Sequence, residues 1–202
     1  ILLPRATRSA DVAGVLLSRM VLAPDRRANW SNEIATLERA LPSSPTAGAE
    51  YAAAALRAPT IVPETITLDR GRVFTSRTFA LACDKLQISN VISSPYTPTD
   101  KPHVEAGFKR MRDGFVQYLD GFTGASVENR GSSVVEDAVW TVDEIQALLN
   151  AWIAIVWQQT PKTGLRVPGL HARPMSPNEM FEILTGNAPQ VAVGWDDETY
   201  IE

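Results

Sequence analysis

A chain of 202 residues, 45% of them hydrophobic, has enough apolar material for a sizeable core and excludes wholesale disorder. No apolar run reaches the ~18 residues of a membrane-crossing helix, and no basic stretch followed by an apolar one opens the chain as a secretory signal would. The net charge of -4 argues against a uniformly basic surface, and Cys83, alone with His103 and His171, excludes both an internal disulfide and a cysteine–histidine zinc site.

Periodicity predicts the elements in chain order. Val12, Val15, Leu16 and Met20 recur at helical spacing and predict a helix over 10–22. Further helices are expected over 32–41 and, rich in alanine, over 49–57, separated by a loop of prolines and serines at 42–48. Ile66 and Leu68 alternate with threonines as in a strand, which stops at Asp69-Arg70-Gly71. Phe79, Ala82, Cys83 and Leu86 predict a short helix over 76–86, with Cys83 as a small buried hydrophobe, and 88–92 is the next strand.

Three prolines make 94–102 an extended loop. Asp100 is the expected N-cap of a helix whose apolar stripe is Val104, Phe108, Met111, Phe115 and Leu119. The glycine-containing stretch 121–133 reads as a surface loop that could reach DNA or a partner through Arg130, and the last long helix is expected over 142–157, with Trp140, Trp152 and Trp157 packing there. Alternating strands and helices predict a layered α/β domain.

Two carboxylates stand out. Asp69 closes a strand, where side chains point into the crevice in which α/β sheets bind ligands. Glu105 lies in the first turn of the helix after the proline-rich loop, with 35 residues between the two. Phosphodiester cleavage and strand transfer exchange one oxygen at phosphorus for another, and two divalent cations held by carboxylates serve that chemistry. Lys101, Glu105, Lys109 and Arg112 are spaced by four, four and three and share one helix face. Such spacing also gives ordinary surface ion pairs.

Three segments carry a resemblance. Asp69-Arg70-Gly71-Arg72-Val73-Phe74 resembles the D-x-G-x-x-F segment of retroviral-type integrase cores. The stretch from Pro95 and Pro98 through Lys101 to Val104-Glu105 resembles that family's P-x-x-P-x-x-K-x-x-V-E segment, at the family's 35-residue spacing. Ser176-Pro177-Asn178-Glu179-Met180-Phe181 resembles its downstream S/T-P-x-E-x-F stretch, and the turn at 160–165 has a counterpart there. The chain thus resembles the DDE transposase and integrase family over most of its length, most closely bacterial Mu-like and insertion-sequence types, especially actinobacterial ones.

The resemblance implies an RNase H-like mixed five-stranded sheet flanked by helices. It implies a metal-dependent activity that hydrolyses a phosphodiester and transfers a strand, with two Mg²⁺ or Mn²⁺ ions and with Asp69 and Glu105 as second and third carboxylates of a triad. Lys101, Lys109, Arg112, Tyr96 and Thr97 are then DNA-contacting candidates. Transposon ends and target DNA are the implied partners, with a homo-oligomer on DNA, an ATPase helper protein and a bacterial cytoplasmic setting. The catalytic core would cover 1–185, and 186–202 would be a linker and the start of a C-terminal β domain.

The first carboxylate of the triad is expected upstream. Ile1 to Pro4 resembles the end of a third strand, so two strands and the first Asp would precede Ile1, leaving the fragment metal-poor and inactive. Asp11 lies in a helix start and reads as a dipole-favoured residue. One alternative is an RNase H-like nuclease with a fourth carboxylate at Asp143 or Glu144; another is a non-catalytic domain that assembles protein–DNA complexes. His103 and His171 are weaker candidates for contact with DNA or a metal-bound water.

Overall fold

The computed structural model describes residues 6–20, 30–93, 102–120, 139–167 and 173–187. Its elements are α1 (Ser9–Met20), α2 (Trp30–Ala40), α3 (Ala47–Leu56), β1 (Thr65–Leu68), α4 (Arg77–Lys85), β2 (Ser89–Ile92), α5 (Pro102–Gly114), α6 (Val142–Ala151) and α7 (Pro177–Asn187). The architecture is α/β: the described residues include seven helices and a two-stranded parallel sheet. β1 and β2 pair in register from Thr65 opposite Ser89 to Leu68 opposite Ile92. A parallel pair needs a crossover, and α4 supplies it. No helix among the described residues is long and apolar enough to cross a membrane.

Two apolar clusters hold these elements. One gathers Met20, Leu68, Phe79, Cys83 and Ile88, joining α1, β1 and α4 to the start of β2. Cys83 is the buried hydrophobe its context predicts, and burial, the largest influence, pushes its thiol up from its usual range. The other cluster joins α2, α3 and α6 through Leu37, Tyr51 and five alanines, whose small side chains let the helices approach closely. A polar tie crosses it. The Tyr51 hydroxyl donates to Glu33 Oε2 at 2.5 Å, and Asn150 Nδ2 donates to Glu33 Oε1 at 3.4 Å.

α4 begins and ends on local chemistry. The Ser76 hydroxyl accepts from Phe79 N at 3.2 Å, an N-cap. At the other end Ile88 N donates to Cys83 O and Gln87 N to Asp84 O, the paired bonds of a Schellman motif. Gln87 therefore sits at φ 57°, where glycine is normally preferred. Gln87→Gly is expected to stabilise the fold by roughly 0.5–1 kcal/mol, read as a higher urea midpoint at unchanged m-value.

The structure corrects the sequence reading in three places. The apolar stripe does not run on to Leu119. α5 stops at Gly114, and residues Val116–Tyr118 form a 3-10 turn. Glycine is a poor helix former, and a Cβ at Gly114 would come within 3.0 Å of Trp152 Cζ2. Buried Phe115 packs its ring on Trp152, centroids 5.7 Å apart. Second, 142–157 is not one α-helix, because Trp152–Trp157 is π-helical, with Gln158 N donating to Ile153 O.

Third, α7 was not anticipated. Its start is a capping box: Ser176 Oγ accepts from Glu179 N, and Glu179 Oε2 accepts from Ser176 N at 2.8 Å, with Pro177 in the first turn. Hydrogen bonds from Arg173, and then from the Ser176 backbone, lower the Glu179 pKa from 4.5 to about 2. A carboxylate depressed by folding stabilises above its unfolded value and loses that contribution as pH falls through its folded one. The gap in unfolding midpoint between the wild type and Glu179→Gln is therefore expected to be full at neutral pH and to close as pH falls from 4.5 towards about 2, in thermal melts across that window.

Candidate active site

The D-x-G-x-x-F segment folds as a turn with an anchor. Asp69 follows the last residue of β1, and its Oδ1 accepts from Gly71 N at 2.8 Å. Gly71 O in turn accepts from Phe74 N and Thr75 N. The Phe74 ring meets buried Phe79 edge-on, centroids 6.0 Å apart. A Cβ at Gly71 would lie 2.8 Å from Asp69 Oδ1, so a larger residue there would turn the carboxylate away. Ser93, which follows β2, fixes the other side: its N and Oγ both donate to Leu68 O, at 2.8 and 2.9 Å. Asp69 is thus exposed, braced through one oxygen, and its Oδ2 accepts no hydrogen bond among the described residues.

Glu105 is exposed in the first turn of α5. α5 packs through Gly107, Phe108 and Met111 towards Trp152 and Trp157, whereas Asp69 belongs to the sheet unit. No hydrogen bond links Asp69 to Glu105 among the described residues, and no three His, Cys, Asp or Glu side chains there are grouped to hold a metal. Both are hard oxygen donors open to solvent, the donor chemistry that Mg²⁺ and Mn²⁺ favour.

Two of the expected DNA-contacting cations are already partnered. Lys109 Nζ lies 2.7 Å from Asp113 Oδ2, and Arg112 Nε lies 3.1 Å from Asp113 Oδ1. These bonds hold Asp113 below the usual carboxylate range. The sequence reading overlooked Asp113, although it stands four residues after Lys109 at the spacing that favours a pair. Lys101, Tyr96, Thr97 and Asp100 lie outside the described residues, as do Arg130, His171 and the stretches 1–5 and 188–202.

Glu144 is committed elsewhere. Its carboxylate accepts from Thr141 N and Oγ1 while Glu144 N donates to Thr141 Oγ1, a capping box that starts α6. Asp11 likewise serves its helix, with Oδ2 accepting from Arg8 N at 2.7 Å. No protein-family model matches the chain, and no curated protein matches it.

Proposed function

We propose that this chain carries the catalytic core of a DDE-type DNA transposase or integrase, built on an RNase H-like sheet. The observation that carries the reading is Asp69: an exposed carboxylate at the end of a parallel strand, its Oδ1 braced by Gly71 N beside the Leu68 carbonyl that Ser93 holds, and its Oδ2 accepting no hydrogen bond among the described residues. The spacing to Glu105 and the motifs around both residues support it.

In this reading Asp69 and Glu105 are two of the three carboxylates that would hold two Mg²⁺ or Mn²⁺ ions. When bound, the ions supply charge stabilisation at the phosphate and activation of the attacking oxygen. The chain's own part is placement. Gly71 orients Asp69, Ser93 fixes the end of its strand at Leu68 O, and the start of α5 presents Glu105. Transposon ends and target DNA are the proposed substrates, held by a homo-oligomer with an ATPase helper.

Of the two carboxylates the purely hydrolytic alternative could use, Glu144 is taken by capping α6 and Asp143 is not. The test is strand transfer on element-end DNA, scored separately from hydrolysis, with Glu105→Gln as the control. Hydrolysis without transfer would assign the protein to the nucleases instead.

A further inference from the structure

An apolar groove of about 280 Å³ runs between α5 and the π-helical segment, walled by Val104, Phe108 and Met111 on one side and by Trp152 and Trp157 on the other. A cation stands at its Trp157 end. Lys162 Nζ stands 4.5 Å from the centre of the Trp157 ring. The Lys162 backbone is fixed there, because its N–H donates to Met175 O at 2.8 Å across an antiparallel bridge. Arg110 adjoins the wall residue Met111 on α5.

Partial burial, and then the Arg110 guanidinium, lower the Lys162 pKa. Asp113, the carboxylate on this stretch of α5, is taken by Lys109 and Arg112. Among the described residues no carboxylate pairs with Arg110 or Lys162. Phe108 is 63% exposed at the groove.

We propose that this groove is a subsite for one unpaired nucleotide of a DNA strand, its base against Phe108 and the tryptophan pair and its phosphate between Arg110 and Lys162. The proposal rests on the reading of DNA as substrate and adds a position to it.

The charge pattern chooses the occupant. A cation held at the edge of an apolar, aromatic groove gains most from an anion, and an apolar peptide would leave it uncompensated. A planar base beside a phosphate matches an aromatic wall beside cations, and such stacking is worth about 1–3 kcal/mol per base. A paired base hides its faces within the duplex, so the strand must be unpaired at this point. The π-helix contributes directly: its i→i+5 geometry sets Trp152 and Trp157 side by side, ring centroids 5.5 Å apart, on the wall of the groove.

The test titrates the chain with a short oligothymidylate, with the same strand in a duplex, and with an abasic strand of equal length. Tryptophan fluorescence and anisotropy are read across a salt series. The oligothymidylate is expected to quench the tryptophans and to bind about tenfold tighter than the abasic strand or the duplex. The double variant Arg110→Gln/Lys162→Gln should weaken it about tenfold and flatten the salt slope by about 0.7.

Phe108→Ser, at an exposed position, should abolish the preference for bases over abasic sugar while retaining the native circular dichroism. Equal binding of all three ligands overturns the proposal, as does an unaffected double variant. Self-association that Phe108→Ser abolishes, without strand binding, would give the groove to a second copy of the chain and also overturn it. Glu105-dependent strand transfer without base preference defeats the subsite alone. Base preference in a protein without metal-dependent transfer defeats the transferase reading and leaves the subsite standing.

Discussion

Glu105→Gln is expected to reduce metal-dependent strand transfer by about 10³-fold or more, the effect of removing several kcal/mol of transition-state stabilisation. The fold should barely register the change. Glu105 is exposed, makes no ion pair or hydrogen bond among the described residues, and sits in the first turn of α5. Its negative charge there stabilises the helix by only about 0.3–1 kcal/mol, which bounds the structural cost. Glutamine keeps the shape and hydrogen-bonding capacity while removing the charge that holds a cation. Circular dichroism, the unfolding midpoint and binding to DNA ends should therefore match the parent while transfer is lost. Cleavage at the parent rate would remove Glu105 from the mechanism.

Phe79→Ala should cost about 3–5 kcal/mol, a large share of the ~5–15 kcal/mol that keeps a domain folded. Phe79 is 1% exposed and fills the centre of the cluster formed with Met20, Leu68, Cys83 and Ile88. Truncation removes the apolar surface and leaves a cavity that the two short strands cannot close. It also removes the ring against which Phe74 rests, and Phe74 anchors the turn that braces Asp69. Phe79→Leu, nearer in volume, should cost less than about 1.5 kcal/mol. Urea unfolding of both variants decides the matter: equal small losses would show that this cluster is not the core that supports β1.

The sheet and most helices were legible because their signals are local. Ile66 and Leu68 alternate and stop at an Asp-x-Gly turn, and α4 carries both its apolar face and its Ser76 cap within a few residues. Asp69 was legible as a strand-end carboxylate for the same reason. What sequence reasoning missed was non-local or judged by the wrong signal. Ser93 acts on Leu68 O from 25 residues away, and nothing in its neighbourhood announces that. The end of α5 depends on Trp152 pressing on Gly114, a contact between distant stretches.

The start of α7 was readable, yet it was weighed only as a resemblance. The Ser176-Pro177-Asn178-Glu179 stretch has its own local cause, a serine and a glutamate exchanging hydrogen bonds around a proline. Its presence therefore says that a helix begins, and the weight of the family resemblance falls on Asp69, Glu105 and the segments around them. The pairing of Lys109 and Arg112 with Asp113 was readable by counting four residues on from Lys109.

The π-helical segment has a consequence for insertions and deletions. In an α-helix, residues five apart point about 140° away from one another; here Trp152 and Trp157 meet. Removing one residue between them would let the segment relax to ordinary α-helix with the rings now four apart and still touching. The chain beyond Trp157 would then enter at a different angle, carrying Lys162 with it. This stretch can absorb a change of length without losing its aromatic contact, at the expense of where the following turn is aimed.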